Sequence, residues 1–169
     1  NFPGATVEKK VGTFSVNSDA GPARLELVDL PGAYGMNPKS PDERIAIDYI
    51  RSNNAEERPD MVLYVADASN LKRSLFLATQ IAGLKIPVVI ALNMMDVIRK
   101  KGIELNVDLL SARLGITIVP VSAREGEGIG QLKKILAGPI PPLKPAIPPD
   151  GPEADEAQAS SARSRIETL

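Results

Sequence analysis

Three short, nearly continuous apolar runs constrain the fold of this chain more than any other feature. They are MVLYVA at 61–66, PVVIAL at 87–92 and TIVPV at 117–121. Each is long enough for a strand and too short to cross a bilayer. Strands that are apolar on both faces are typical of parallel sheets covered by helices on both sides. Because helix-like stretches separate the runs, the sequence predicts an α/β domain with a doubly wound, mostly parallel sheet.

The connecting segments carry their own start and stop signals. Residues 11–16 and 25–29 flank a turn-like stretch, which predicts an antiparallel hairpin. Ser40, followed by Pro41 and by Glu43 three residues on, forms a capping box that predicts the start of a helix. Apolar spacing predicts further helices over 71–84, 107–114 and 129–137, the last two each followed by a glycine.

The 169 residues divide by composition into three parts. Residues 1–137 are expected to form the globular domain, and 138–152 are Pro-rich and predict a stiff linker outside it. Residues 153–169 are polar and helix-compatible, as at the start of a helical region.

Composition excludes several classes of function. Lys and Arg number 20 against 21 Asp and Glu, a balance that argues against a nucleic-acid partner. There is no Cys and no His, which excludes disulfides, thiol chemistry and His-based triads.

Three polar motifs follow predicted strands directly. Asp29-Leu30-Pro31-Gly32 follows LELV, Asn93-Met94-Met95-Asp96 follows PVVIAL, and Ser122-Ala123 follows TIVPV. Each motif alone is explained by a turn or a helix cap. In this order, each just past a buried strand, they are expected to meet at one edge of one sheet. That edge is where doubly wound folds bind ligands.

As a set, these motifs resemble the second to fifth motifs of a Ras-like GTPase domain. The sequences of five segments are similar to those of the ferrous iron transport protein B family: 1–12, 29–50, 65–81, 86–96 and 119–129. The resemblance covers 1–137. It implies a Ras-like G domain that binds guanine nucleotide, hydrolyses GTP in the complete protein and regulates ferrous iron transport. It also implies a location at the cytoplasmic face of a bacterial-type inner membrane, a membrane transport domain of the same full-length chain as partner, and self-association as a further interaction.

The resemblance assigns roles to particular residues. Asp96 is expected to accept hydrogen bonds from the N1–H and N2–H₂ edge of guanine, which adenine lacks. Asn93 would hold the base and tie neighbouring loops, Met94 would cover the base, and the Ala123 N–H would meet guanine O6. Thr6 and Asp29 are expected to hold Mg²⁺, and the Gly32 N–H to contact the γ-phosphate. The implied cofactors are GTP or GDP, Mg²⁺ and a monovalent cation such as K⁺. The full implied GTP-binding set is Gly4, Ala5, Thr6, Asp29, Leu30, Pro31, Gly32, Asn93, Met94, Met95, Asp96, Val121, Ser122 and Ala123.

Two departures from the Ras pattern bear on these expectations. Ala33 stands where Ras has its water-orienting Gln, so no catalytic residue is assigned. No GxxxxGK[ST] occurs, so the resemblance begins after the P-loop and implies a G domain without its first strand and P-loop helix. LELV and MVLYV are then expected to flank an open slot or to pair directly, and the chain is expected to be a fragment that binds GTP poorly by itself. Two alternatives stay open: another Ras-like GTPase, and a P-loop-free, non-enzymatic interaction module.

Overall fold

Strands and helices alternate along the chain. The computed structural model describes residues 10–18, 21–52, 54 and 58–144. The strands in this part are β1 (Lys10–Ser18), β2 (Gly21–Asp29), β3 (Val62–Asp67), β4 (Val88–Asn93) and β5 (Thr117–Pro120). The helices are α1 (Pro41–Arg51), α2 (Leu71–Ala82), α3 (Met95–Lys100), α4 (Val107–Leu114) and α5 (Ile129–Ala137). A 3₁₀ turn, Ala68–Asn70, joins β3 to α2.

The parallel sheet has the strand order β3-β4-β5, with β4 in the centre. Asp67 pairs with Asn93 across β3 and β4, and Leu92 pairs with Pro120 across β4 and β5. The carboxyl ends of the three strands are therefore aligned, and the loops that follow them share one edge of the sheet. This confirms the α/β class with a parallel sheet.

The predicted hairpin is confirmed, but it is not part of the parallel sheet. β1 and β2 pair antiparallel from Lys10 with Asp29 to Ser18 with Gly21, and they form a separate two-stranded sheet. The expectation that Asp29, Asn93 and Ser122 lie at one edge of one sheet is therefore wrong for Asp29. The physical reason is that the ladder bonds of β2 go to β1, while those of β3 go to β4.

β2 and β3 are not paired with each other in the described part of the chain, as in the open-slot expectation. β3 is an edge strand, and the Val65 side chain on it is 61% exposed. In the middle of a parallel sheet, such a side chain is ordinarily covered.

The two faces of β4 belong to two separate apolar clusters. Val88, Ile90 and Leu92 face one way, with buried side chains from α1 and α2. Val89 and Ala91 face the other way, with Val119, Val121 and partly buried residues of α5. This alternation explains why β4 is a continuous apolar run rather than an alternating one.

Helix ends follow the predicted signals closely. The Ser40 hydroxyl accepts a hydrogen bond from the Glu43 N–H at 3.2 Å, so α1 begins where the capping box placed it. The Glu43 carboxylate accepts from the Lys39 N–H at 2.7 Å, one residue earlier than in a regular capping box. α4 ends at Gly115, whose φ of +67° is the left-handed conformation that glycine adopts at helix ends.

The segment after Gly138 is not detached from the domain where the structure describes it. Residues 139–144 form neither helix nor strand, as their prolines predict. Leu143, however, packs against the larger apolar cluster, and the Lys144 N–H donates to the Gly115 carbonyl at 3.0 Å. These contacts with the domain reach Lys144, six residues beyond the linker boundary expected at 138. Residues 145–152 and the expected helical region 153–169 lie outside the described residues.

Candidate functional site

The segment that follows β4 turns sharply before α3 begins. Met94 has a φ of +67°, which non-glycine residues seldom adopt, and its side chain is 42% exposed. α3 starts at Met95, so Asp96 lies in its first turn. The structure thus presents an exposed Met94 next to the buried Asp96. The six-residue α3 was not predicted, because its apolar pattern is too short to show a helical period.

Asp96 is held by the loop that follows β5. Its side chain is only 5% exposed, and its Oδ1 accepts a hydrogen bond from the Ser122 hydroxyl at 3.0 Å. Ser122 is fully buried, and its Oγ also accepts from the Glu125 N–H at 3.3 Å. One carboxylate oxygen is therefore fixed by the protein, which orients the whole group.

Asn93 makes the second link between these loops. Its Oδ1 accepts a hydrogen bond from the Ala123 N–H at 3.1 Å. The predicted tie between neighbouring loops is thus observed. The Ala123 N–H, however, already has this partner, so a contact with guanine O6 requires the bond to be shared or broken.

The backbone joins the same two loops. The Val121 N–H donates to the Leu92 carbonyl at 2.8 Å, and the Met95 N–H donates to the Val121 carbonyl at 3.3 Å. Two side-chain bonds and two backbone bonds therefore connect the loop after β4 to the loop after β5. Seven residues form one rigid corner, which we call the β4–β5 corner, and all of them except Leu92 were in the predicted set: Leu92, Asn93, Met95, Asp96, Val121, Ser122 and Ala123.

An exposed ion pair lies on the outside of this corner. The Arg99 guanidinium on α3 contacts the carboxylate of Glu127 and lies 3.9 Å from that of Glu125. The hydrogen bond and charge of Glu127 raise the pKa of Arg99, which stays protonated. Sequence reasoning missed these residues. The sequence shows a basic residue after β4 and two acidic residues after β5, but nothing in it indicates that they pair.

Gly128 shows why glycine is required at the end of the second loop. Its φ is +77°, and a Cβ on it would lie 2.1 Å from the Pro120 carbonyl oxygen. The Ser122 N–H donates to the Glu127 carbonyl at 3.0 Å, and the Glu127 N–H donates back to the Ser122 carbonyl at 3.1 Å. This close return of the chain gives the loop its compact shape.

Asp29 and its motif follow β2, which belongs to a different sheet from the strands of the corner. Asp29 is exposed at the end of β2, and Gly32 is exposed, with nothing within 4 Å of where a Cβ would be. Leu30 and Ala33 are partly buried against the larger apolar cluster, so Ala33 offers no polar group to the surface. Thr6, Gly4 and Ala5 lie outside the described residues.

The described residues do not form a metal-binding centre by themselves. Across 10–18, 21–52, 54 and 58–144, no three His, Cys, Asp or Glu side chains are grouped so that they could hold an ion. Nor is any helix in the described part of the chain long and apolar enough to cross a membrane.

Comparison with known proteins gives one consistent result. The family model described as "Ferrous iron transport protein B" matches residues 1–136. An Fe(2+) transport protein A/Fe(2+) transporter FeoB fusion protein of Porphyromonas gingivalis is 46% identical over 133 residues, which are 78% of this chain and 15% of that protein. The chain spans about one sixth of the length of the curated relatives it matches.

Solved structures agree with the sequence match. The FeoB G-domain from Methanococcus jannaschii is 42% identical with a TM-score of 0.65, covering 75% of this chain and 76% of that one. The cytosolic domain of the T. maritima FeoB iron transporter in a GDP form is 38% identical with a TM-score of 0.66, covering 79% and 49%. The other Ras-like GTPases considered above are thereby set aside: this chain belongs to the ferrous iron transport protein B family.

Proposed function

We propose that the chain binds guanine nucleotides through the β4–β5 corner and that, in the protein encoded by the complete gene, it hydrolyses GTP to regulate ferrous iron transport. The observation that carries the proposal is the buried Asp96 carboxylate, held at 3.0 Å by the Ser122 hydroxyl. A buried carboxylate costs free energy unless it has hydrogen-bond partners. Because Ser122 fixes Oδ1 of Asp96 and leaves Oδ2 available, the group favours a ligand that offers paired donors.

Guanine has the edge that this arrangement requires. Its N1–H and N2–H₂ groups are adjacent donors, and a carboxylate accepts both; adenine has no such pair. Met94 is exposed beside Asp96 and offers an apolar, adaptable surface for one face of the base. Asn93 sets the distance between the two loops that would enclose it.

The phosphate side of the proposal rests on the segment after β2. Asp29 and Thr6 are the proposed Mg²⁺ ligands, and the Gly32 N–H the proposed γ-phosphate contact. An exposed Gly32 with open space around it permits close approach of a phosphate to the backbone. Bound Mg²⁺ would neutralise charge on the β- and γ-phosphates. Since Ala33 cannot orient water, backbone groups, another loop, a monovalent cation such as K⁺ or a partner would have to do so.

The transport role comes from the relatives. The matched proteins of P. gingivalis and Escherichia coli are named as Fe(2+) transporters, and the T. maritima structure is of a cytosolic domain. We therefore propose a position at the cytoplasmic face of the inner membrane, next to a membrane transport domain of the same gene product, with self-association as a further interaction.

Calorimetric titration of the protein expressed from its complete gene tests the proposal. GDP should bind with Mg²⁺ present, and ADP should bind at least about tenfold more weakly, a difference of about 1.4 kcal/mol. Equal affinities would remove the base-recognition argument. Absence of any nucleotide binding would favour the alternative of an interaction module without a phosphate cradle.

A further inference from the structure

The segment directly after Gly32 lies along one face of α2. Arg73 and Gln80 are seven residues apart on this helix, so they lie on the same face about 10.5 Å apart along the axis. Both contact the segment 34–36, which has no helix or strand structure of its own. A segment without its own backbone ladder takes its position from such contacts.

The first contact is a cation–π interaction. The Arg73 guanidinium carbon lies 3.6 Å from the centroid of the Tyr34 ring, well within the range of this attraction. Tyr34 is 60% exposed, so apolar burial does not account for where its ring lies. The Arg73 guanidinium over its face helps to fix the ring.

The second contact is a hydrogen bond from the backbone. The Met36 N–H donates to Gln80 Oε1 at 3.1 Å, 44 residues away along the chain. The Met36 side chain is buried in the larger apolar cluster, and Gly35 lies so close that a Cβ on it would be 3.8 Å from the same Gln80 oxygen. Gln80 therefore gives this buried stretch of backbone the partner that it would otherwise lack.

The N-terminal turn of α2, which carries Arg73, is tied to the parallel sheet. The Ser74 hydroxyl accepts from the Asp67 N–H at 3.1 Å and donates to the Asp67 carbonyl at 3.3 Å. α2 is thus anchored at the end of β3, so it is a fixed support rather than a mobile one. The contacts of segment 34–36 with α2 therefore hold the segment at a fixed place relative to the parallel sheet.

We propose that Arg73 and Gln80 are positioning residues that hold segment 34–36 against α2 and thereby set where the Gly32 loop stands when a γ-phosphate reaches it. This inference rests on the proposed nucleotide function. A loop held in place in advance does not have to be ordered on binding, so the two residues favour a triphosphate over a diphosphate.

Hydrogen exchange in the protein expressed from its complete gene tests the contacts directly. Gln80→Met removes the acceptor at similar volume and should speed exchange of the Met36 amide about tenfold, whereas Gln80→Glu keeps an acceptor and should restore slow exchange. Arg73→Met should also speed it, and Lys72→Met, which removes an exposed charge on the same helix, should not. The amide of Ile90 in β4 serves as the reference for global opening.

Nucleotide affinities give the second readout. Gln80→Met and Arg73→Met should weaken GMPPNP about fivefold more than GDP, because only GMPPNP has a γ-phosphate to meet the Gly32 loop. Unchanged Met36 exchange, equal acceleration at Met36 and Ile90, or an unchanged ratio of GMPPNP to GDP affinity would each overturn the inference. If the unaltered protein binds neither nucleotide, the proposed function fails instead, and the exchange data alone report whether Arg73 and Gln80 hold the segment.

Discussion

Ser122 and Asp96 lie 26 residues apart in the chain, yet the buried Ser122 hydroxyl donates to Asp96 Oδ1 at 3.0 Å. The bond joins the loops after two neighbouring parallel strands, and it fixes the carboxylate on which the proposed guanine recognition depends. Its loss should therefore affect both folding and binding.

Ser122→Ala should lower the free energy of unfolding by about 1–3 kcal/mol, since it leaves a buried carboxylate oxygen without its donor. Urea unfolding measures this change. Ser111→Ala is the control, because it removes a hydroxyl that donates an internal bond, to the Ile116 carbonyl at 2.6 Å, away from the corner. Both variants should be less stable, but only Ser122→Ala should weaken GDP. Equal GDP affinities in the two variants would separate Ser122 from the site.

Asp96→Asn should weaken guanine nucleotides at least about tenfold, or about 1.4 kcal/mol, and should improve xanthine nucleotides. The reason is that xanthine offers an acceptor where guanine offers a donor, and an amide can donate to it. Calorimetry on the protein from its complete gene measures both affinities. Asp108→Asn, an exposed acid in the first turn of α4, makes the same chemical change away from the corner and should leave both unaltered. Unchanged GDP affinity in Asp96→Asn would remove Asp96 from the site.

Gly128→Ala should be severely destabilising, by about 3 kcal/mol or more. A Cβ there would meet the Pro120 carbonyl oxygen at 2.1 Å, and that oxygen is a backbone atom, which cannot easily shift. Gly126→Ala, two residues earlier, is the control: its φ of +72° is similar, but nothing lies within 4 Å. It should cost only the backbone strain, about 1 kcal/mol. Similar unfolding midpoints for the two variants would show that the loop yields at Gly128.

Truncation after Gly138 should lower the melting temperature, whereas truncation after Lys144 should leave it nearly unchanged. The shorter chain loses the packing of Leu143 and the bond from the Lys144 N–H to Gly115, together worth about 1–3 kcal/mol. Calorimetric melting of both truncated chains decides the point. Equal melting temperatures would return the domain boundary to Gly138, where the sequence placed it.

The ionisation of Tyr64 should lower the stability of the folded chain at high pH. Burial raises the pKa of its phenol, with hydrogen bonding to Ser74 and the charge of Arg73 opposing the shift. Because the phenol of Tyr64 has a higher pKa in the folded chain than in the unfolded chain, its neutral form stabilises the fold. This contribution is complete below the unfolded pKa near 10 and is lost as the pH rises through the folded pKa. Unfolding free energy should therefore fall above pH 10, and less so in Tyr64→Phe. Identical alkaline profiles for the two proteins would contradict this assignment.

Local signals in the sequence were sufficient for most of the scaffold. The Ser40 cap, the Gly115 stop and the apolar runs of β3, β4 and β5 are each decided within a few residues, so they could be predicted. The proximity of Asn93, Asp96 and Ser122 also followed, because parallel strands align their carboxyl ends.

Contacts that join distant parts of the chain were not predictable in the same way. The pairing of Arg99 with Glu127 and the stacking of Arg73 on Tyr34 involve exposed residues, whose types are ordinary for a surface. The docking of Leu143 was missed because the prolines around it exclude regular structure but do not exclude packing. Asp29 was misplaced because the pattern of β2 predicts its pairing with β1 but does not show whether its other edge joins the parallel sheet.

The edge of β3 has a practical consequence for anyone who purifies the chain. Across Val62–Asp67 the strand bears no charged side chain before Asp67, and natural edges usually carry such charges to prevent intermolecular pairing. In the part of the chain that the structure describes, no strand pairs with the outer edge of β3, and its backbone groups together with the exposed Val65 can act as a template on which a second molecule adds a strand. During refolding, strand addition between molecules should compete with folding, and it should increase with protein concentration. Dilute, cold conditions should therefore yield monomers, and concentrated ones should yield precipitate.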